Sequence, residues 1–147
     1  MVTPFAIALE TSLLGLVAPL LEPCRELAEL GEHIVLLGIL GTVAAQQDMG
    51  ASWRIGVRPG EQTDLVMTGA FALVRNPIFS AMLLTGLGFI LLLPNPLTLA
   101  SFATLLLAVE LQVRGAEEPH LLRTHGDRYR TYARRVGRFL PGLGRLP

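Results

Sequence analysis

IFSAMLLTGLGFILLL, residues 78–93, and LTLASFATLLLAVELQV, residues 97–113, stand on either side of Pro94-Asn95-Pro96 and hold a single charged residue, Glu110. A helix needs about 20 apolar residues to cross a bilayer, or about 17 at the short end. Two such runs joined by a tight proline-flanked turn read as a helical hairpin through a membrane. Working outward, residues 5–21 and 27–45 form two more stretches almost free of charge, so the expected fold is an all-α, four-helix transmembrane bundle. The composition agrees, because 51% hydrophobic against 16% charged residues is too apolar for an ordinary soluble domain of 147 residues.

No basic residue precedes the first run and no small-residue cleavage site follows it, so it reads as a retained helix rather than a secretory signal. Orientation follows from the basic residues, all twelve of which are arginines. Eleven fall between the second and third runs (Arg54, Arg58, Arg75) or after the fourth, from Arg114 to Arg145. Four spans place those two segments on one side, and the positive-inside tendency makes that side cytoplasmic, with both termini there. The far side keeps the acidic connection from Glu22 to His33 and the Pro94–Pro96 turn. The absence of lysine points to a GC-rich coding sequence and a bacterial inner membrane. No repeat is apparent, and residues 1–147 read as one domain. Cys24 has no internal partner, and His120 and His125, five apart, lack a third ligand, so no metal site is expected.

The chemistry-bearing residues gather at the cytoplasmic ends of the runs. Glu117 and Glu118 follow the fourth run and precede Pro119, with Arg114 just upstream, while Arg75-Asn76-Pro77 opens the third. Asn76 and Pro77 suit a helix start, as cap and first residue. Arg75 is free to meet headgroup phosphate or an anionic ligand. Gly115 is expected to break the fourth helix, leaving the glutamates in a bend; they are either dipole partners for the next helix or ligands of a charged molecule. Gly86 and Gly88 read as close-packing positions. The segment 46–76 interleaves apolar residues (Trp53, Leu65, Met67, Phe71, Val74) with glycines and should pack under the helix ends as a pocket wall. Leu122, Tyr129, Tyr132, Ala133 and Val136 recur at helical spacing among arginines, which predicts an amphipathic helix interrupted near Gly126.

Met49 to Gly56, Gly69 through Arg75-Asn76-Pro77, Glu117-Glu118, Gly126-Asp127-Arg128-Tyr129, Tyr132 and Arg138-Phe139-Leu140-Pro141 together resemble the isoprenylcysteine carboxyl methyltransferase and phospholipid methyltransferase superfamily. The resemblance implies an integral membrane enzyme that uses S-adenosylmethionine to methylate a lipophilic or small acceptor. It implies cofactor contacts from Arg75, Asn76, Pro77, Glu117, Glu118, Leu121 and Leu122, with Arg114 or Arg75 orienting an anion. Tyr129, Tyr132, Arg138 and Phe139 would shape a lid. Phe79 stands where that group commonly has tyrosine, Ala81 where it has glycine, and His125 where it has phenylalanine. The expected partners are the bilayer and the acceptor, with no nucleic acid.

Two other readings use different features. Glu10 in the first run would serve a small proton-coupled multidrug exporter, although such exporters need little cytoplasmic mass. A nonenzymatic scaffold would use the arginine-rich tail only as a lipid anchor.

Overall fold

The computed structural model describes residues 14–20, 24–50 and 64–147. Four helices organise them: α1 (Arg25–Met49), α2 (Pro77–Leu92), α3 (Pro96–Gln112) and α4 (Glu118–Arg135). A 3-10 turn, Gly69–Ala72, precedes α2, and a π-helical turn, Val113–Glu117, joins α3 to α4. Among the described residues there is no β-strand, only an isolated parallel bridge between Val74 and Gly137. Most of the run predicted at 5–21 lies outside the described residues, as do Trp53 and Glu10. Residues 14–17 of that run are helical, and Leu20 N–H donates to the Pro94 carbonyl at 2.6 Å, which sets this segment beside the α2–α3 turn.

The other three predicted runs coincide with α1, α2 and α3, with ends displaced by one to four residues. Two stretches are long and apolar enough to cross a membrane: α1, with 25 residues, and the continuous helical path that starts at Pro96. The described residues are therefore all-α, with two stretches that could span a membrane by length and composition. α2, with 16 residues, is about 24 Å long at 1.5 Å per residue, shorter than the ~30 Å hydrocarbon core.

α1 and α2 are held together by small residues. Gly31, Gly38 and Ala45 on α1 and Ala81 and Gly88 on α2 are buried at seven-residue spacing, the spacing of a left-handed helix pair. A Cβ on Gly38 would collide with the Thr85 hydroxyl and lie 2.8 Å from its amide nitrogen, so the two backbones touch. Gly88 meets Val35 and the Gly31 carbonyl in the same seam, while Gly86 faces Phe102 of α3. Both act as packing positions, as expected from sequence. The outer faces carry bare leucines, among them Leu37, Leu40, Leu107 and Leu111, each more than half exposed. Such a surface suits hydrocarbon rather than water.

Two sequence expectations about helix ends are corrected. Gly115 does not break the helix; the chain passes through the π-turn into α4 without leaving helical geometry. Pro119 supplies the reason, since it lacks an N–H and its ring would press on the carbonyl four residues back in an α-turn, a conflict the wider turn relieves. Asn76 does not cap α2 through its side chain. That amide instead donates to the Arg138 carbonyl at 3.1 Å. The side-chain cap forms at Asn95, whose Oδ1 accepts from the Thr98 amide at 2.9 Å and from its hydroxyl.

Candidate functional site

The site is assembled where α2 begins and α3 ends. The end of α1 anchors the approach to α2: an Asp48 carboxylate oxygen accepts from the Ala70 amide at 2.7 Å. Gly69 makes this contact possible with φ of 58°, and a Cβ there would run into the Asp48 carboxylate. Beyond α4, a strap of residues 136–147 lies across the start of α2. Arg75 N–H donates to the Gly137 carbonyl at 2.8 Å, Asn76 N–H to the Arg138 carbonyl at 3.1 Å, and Ser80 Oγ to the Phe139 carbonyl at 2.7 Å.

One carboxylate ties these pieces together. Arg138 grips Glu118 in bidentate fashion, Nε to Oε1 at 2.8 Å and Nη2 to Oε2 at 2.9 Å. Arg75 Nη2 reaches the same Oε1 at 3.0 Å and also donates to the Gly144 carbonyl at 2.6 Å. Its Nη1 approaches the Tyr129 hydroxyl at 3.4 Å. The side chains of Arg75, Glu118 and Arg138 are 1%, 9% and 13% exposed, so this is a buried cluster of two cations and one anion. Its hydrogen bonds to Glu118 raise the Arg138 pKa. Burial raises the Tyr129 pKa, with the nearby Arg75 charge opposing, and burial likewise raises that of Tyr132. Both phenols therefore stay protonated at neutral pH. Arg75 Nε is buried without a hydrogen-bond partner among the described residues.

Glu117, the adjacent acid, sits in a different environment. Desolvation raises its pKa, and the opposing contact is a long 3.4 Å hydrogen bond from Gln112 Nε2. Among the described residues no cation lies within ion-pair distance of it. The two neighbouring carboxyl groups thus differ in environment, one saturated by guanidinium and one half-buried with a single long hydrogen bond. Arg114 points elsewhere. It pairs with Glu110 one turn earlier and remains 60% exposed.

Leu121 and Leu122 pack onto the cluster formed by Leu65, Tyr129, Tyr132 and Ala133, joined by Met67. The segment 46–76 is expected from sequence to pack under the helix ends; its residues 51–63 lie outside the described residues, and Leu65 and Met67 pack instead against α4. The Tyr132 hydroxyl donates to the Phe71 carbonyl at 2.6 Å, which fastens that segment to α4. α4 carries the predicted interruption, with Gly126 at φ 51°, ψ −124°. Pro77 occupies the first turn of α2 and is buried, and Ala81 is buried against α1 beside Gly41. The central role of Arg138 was not visible from spacing, because its partner lies 20 residues upstream and the strap must fold back to bring them together.

The family model for phospholipid methyltransferase matches residues 28–128, a stretch that takes in most of α1, all of α2, α3 and the π-turn, and the first half of α4. Both Arg75-Asn76-Pro77 and Glu117-Glu118 lie within it, whereas Arg138 and the strap lie beyond its end. No curated protein and no solved structure matches the chain. With more than two thirds of its length matched, the chain belongs to the phospholipid methyltransferase family, a group of integral membrane methyltransferases.

Proposed function

We propose that this chain is a single-domain methyltransferase that uses S-adenosylmethionine at the cytoplasmic face of a bacterial inner membrane, with four helices crossing the bilayer and both termini inside. The observation that carries this reading is the family match over residues 28–128, which takes in both Arg75-Asn76-Pro77 and the half-buried Glu117 carboxylate next to the saturated Glu118. The residues present suit the methyl donor. Its ammonium and ribose hydroxyls are donors for Glu117, and its carboxylate is an acceptor for the unpartnered Arg75 Nε. Asn76, Pro77, Leu121 and Leu122 would flank the same site, and Glu118 would hold Arg75 and the strap in place. Arg114, exposed and paired only on the surface, is the guanidinium free to exchange Glu110 for an anionic acceptor.

When bound, S-adenosylmethionine supplies an electrophilic methyl group on a sulfonium. The acceptor's lone pair forms the new bond to that carbon as the carbon–sulfur bond breaks, leaving the electron pair on sulfur. No side chain needs to act as nucleophile. The protein's contribution is alignment, which is worth up to about 7–11 kcal/mol of barrier. It also excludes water, in a setting where Glu117 is already half-buried.

Three acceptors would suit an apolar site opening toward the bilayer: an isoprenylcysteine-type carboxylate, a phospholipid amine and a small thiol. The test is transfer of labelled methyl from S-adenosylmethionine to each by the purified chain. Transfer to one of the three, lost in Glu117→Gln, supports the reading. A folded protein that methylates none of them refutes it.

A further inference from the structure

Asp48 stands in the last turn of α1, at the carbonyl end of the helix dipole, where an acid gains nothing from its own helix. Its hydrogen bond goes to another element. The 3-10 turn Gly69–Ala72 leaves the Gly69 and Ala70 amides without acceptors inside the turn, and Thr68, in the capping position, makes no side-chain bond to them. Asp48 supplies that bond from 22 residues away, accepting from the Ala70 amide at 2.7 Å. It does for this turn what a capping residue does for the start of a helix. Asp48 is itself exposed, so the contact is not a by-product of core packing.

A run of hydrogen bonds carries this anchor to Arg75. The Ala70 carbonyl accepts from the Leu73 and Val74 amides at 3.1 and 3.2 Å. Val74 forms the parallel bridge with Gly137, whose carbonyl takes the Arg75 amide at 2.8 Å. Between these points Tyr132 holds the Phe71 carbonyl. The backbone ahead of Arg75 is thus pinned from α1, from α4 and from the strap. The guanidinium is held by its two outer nitrogens, Nη1 at Tyr129 and Nη2 at Glu118 and Gly144, while Nε is buried with no hydrogen-bond partner among the described residues. The guanidinium is planar, so with its outer end fixed the direction of Nε–H is decided by where the backbone sets the other end of the side chain.

We propose that Asp48 is a positioning residue for the methyl-donor site: by holding the 3-10 turn it aims Arg75 Nε–H at the donor's carboxylate. It acts through the backbone of residues 70–75. The inference rests on the reading of Arg75 as a ligand of S-adenosylmethionine.

The test uses the full chain in detergent, with amide hydrogen exchange across residues 70–75 and calorimetric binding of two ligands, S-adenosylmethionine and its decarboxylated analogue. Asp48→Ala should exchange faster in that segment and bind S-adenosylmethionine about fivefold more weakly, the scale of one lost capping contact. Asp48→Asn, which keeps an acceptor oxygen in place, should recover most of the affinity. Gly69→Ala, whose Cβ would displace the Asp48 carboxylate, should lose as much as Asp48→Ala. The analogue has no carboxylate for Arg75 to meet, so its affinity should change by less than about twofold in Asp48→Ala, the scatter expected of uncoupled groups. A merely structural role would weaken both ligands alike, and equal losses would overturn the proposal. Exchange that does not change in Asp48→Ala would overturn the anchor, and undiminished S-adenosylmethionine binding in that variant would overturn its link to the site. A parent chain that exchanges slowly at residues 70–75 but takes up no S-adenosylmethionine would instead overturn the reading of Arg75, and the proposal with it.

Discussion

Glu118→Gln and Arg138→Gln remove opposite ends of the same bidentate contact, yet the structure predicts unequal consequences. The buried cluster of Arg75, Glu118 and Arg138 carries one net positive charge. Replacing Glu118 leaves two buried guanidiniums and no anion. Replacing Arg138 leaves Glu118 and Arg75 still paired at 3.0 Å and the cluster neutral. Stranding a buried charge by deleting its partner costs about 3–5 kcal/mol. Losing hydrogen bonds to a charged group whose remaining partner stays in place costs about 1.5–3 kcal/mol. For a chain of this size, Glu118→Gln should lower the thermal midpoint by roughly 6–20 °C, taking about 2–4 °C per kcal/mol. Arg138→Gln should lower it by roughly half as much or less, and the double variant should recover part of the Glu118→Gln loss. The assay is loss of helical circular dichroism on heating in one detergent. If Arg138→Gln destabilised as much as Glu118→Gln, or if the double variant were worse than the sum of the singles, the charge argument would be wrong.

Other consequences follow from individual contacts. Burial raises the Glu117 pKa, so the folded state holds its proton more tightly than the unfolded chain does. Its contribution to stability is present below the ordinary glutamate range and is lost as pH rises through the raised value. Glu117→Gln should therefore match the parent in acid and become the more stable of the two toward neutral pH, as read from thermal midpoints across pH; a constant difference would contradict this. Gly38→Ala forces a Cβ to within 2.8 Å of the Thr85 amide nitrogen and should cost about 1–3 kcal/mol, with a lower midpoint. Tyr132→Phe strips the Phe71 carbonyl of its donor at a buried site and should cost about 1–3 kcal/mol, with faster hydrogen exchange in the 65–74 segment.

How much of this could be read from the chain varies with the range of the interaction. The runs at 27–45, 78–93 and 97–113 announced helices because hydropathy is a local property, and Pro77 marked a start because a proline needs no amide partner at the first helical position. Gly126 was legible as an interruption for the same reason. The failures arose where distant backbone competed with local chemistry. Asn76 looked like a cap, but the Arg138 carbonyl, 62 residues away, took its amide. Gly115 looked like a breaker, but Pro119 needed a wider turn rather than an end. Glu117 and Glu118 looked like twins. The fold, which brings Arg75 and the strap's Arg138 to one of them, separates a saturated carboxylate from a half-buried one without an ion pair among the described residues.

The most direct test of the account is calorimetric titration of S-adenosylmethionine into the purified chain. The account predicts one site per chain, weakened at least about tenfold by Glu117→Gln, the scale expected for a lost hydrogen bond to a charged group. A folded protein that takes up no S-adenosylmethionine, or binds it equally well without the Glu117 carboxylate, would contradict the account.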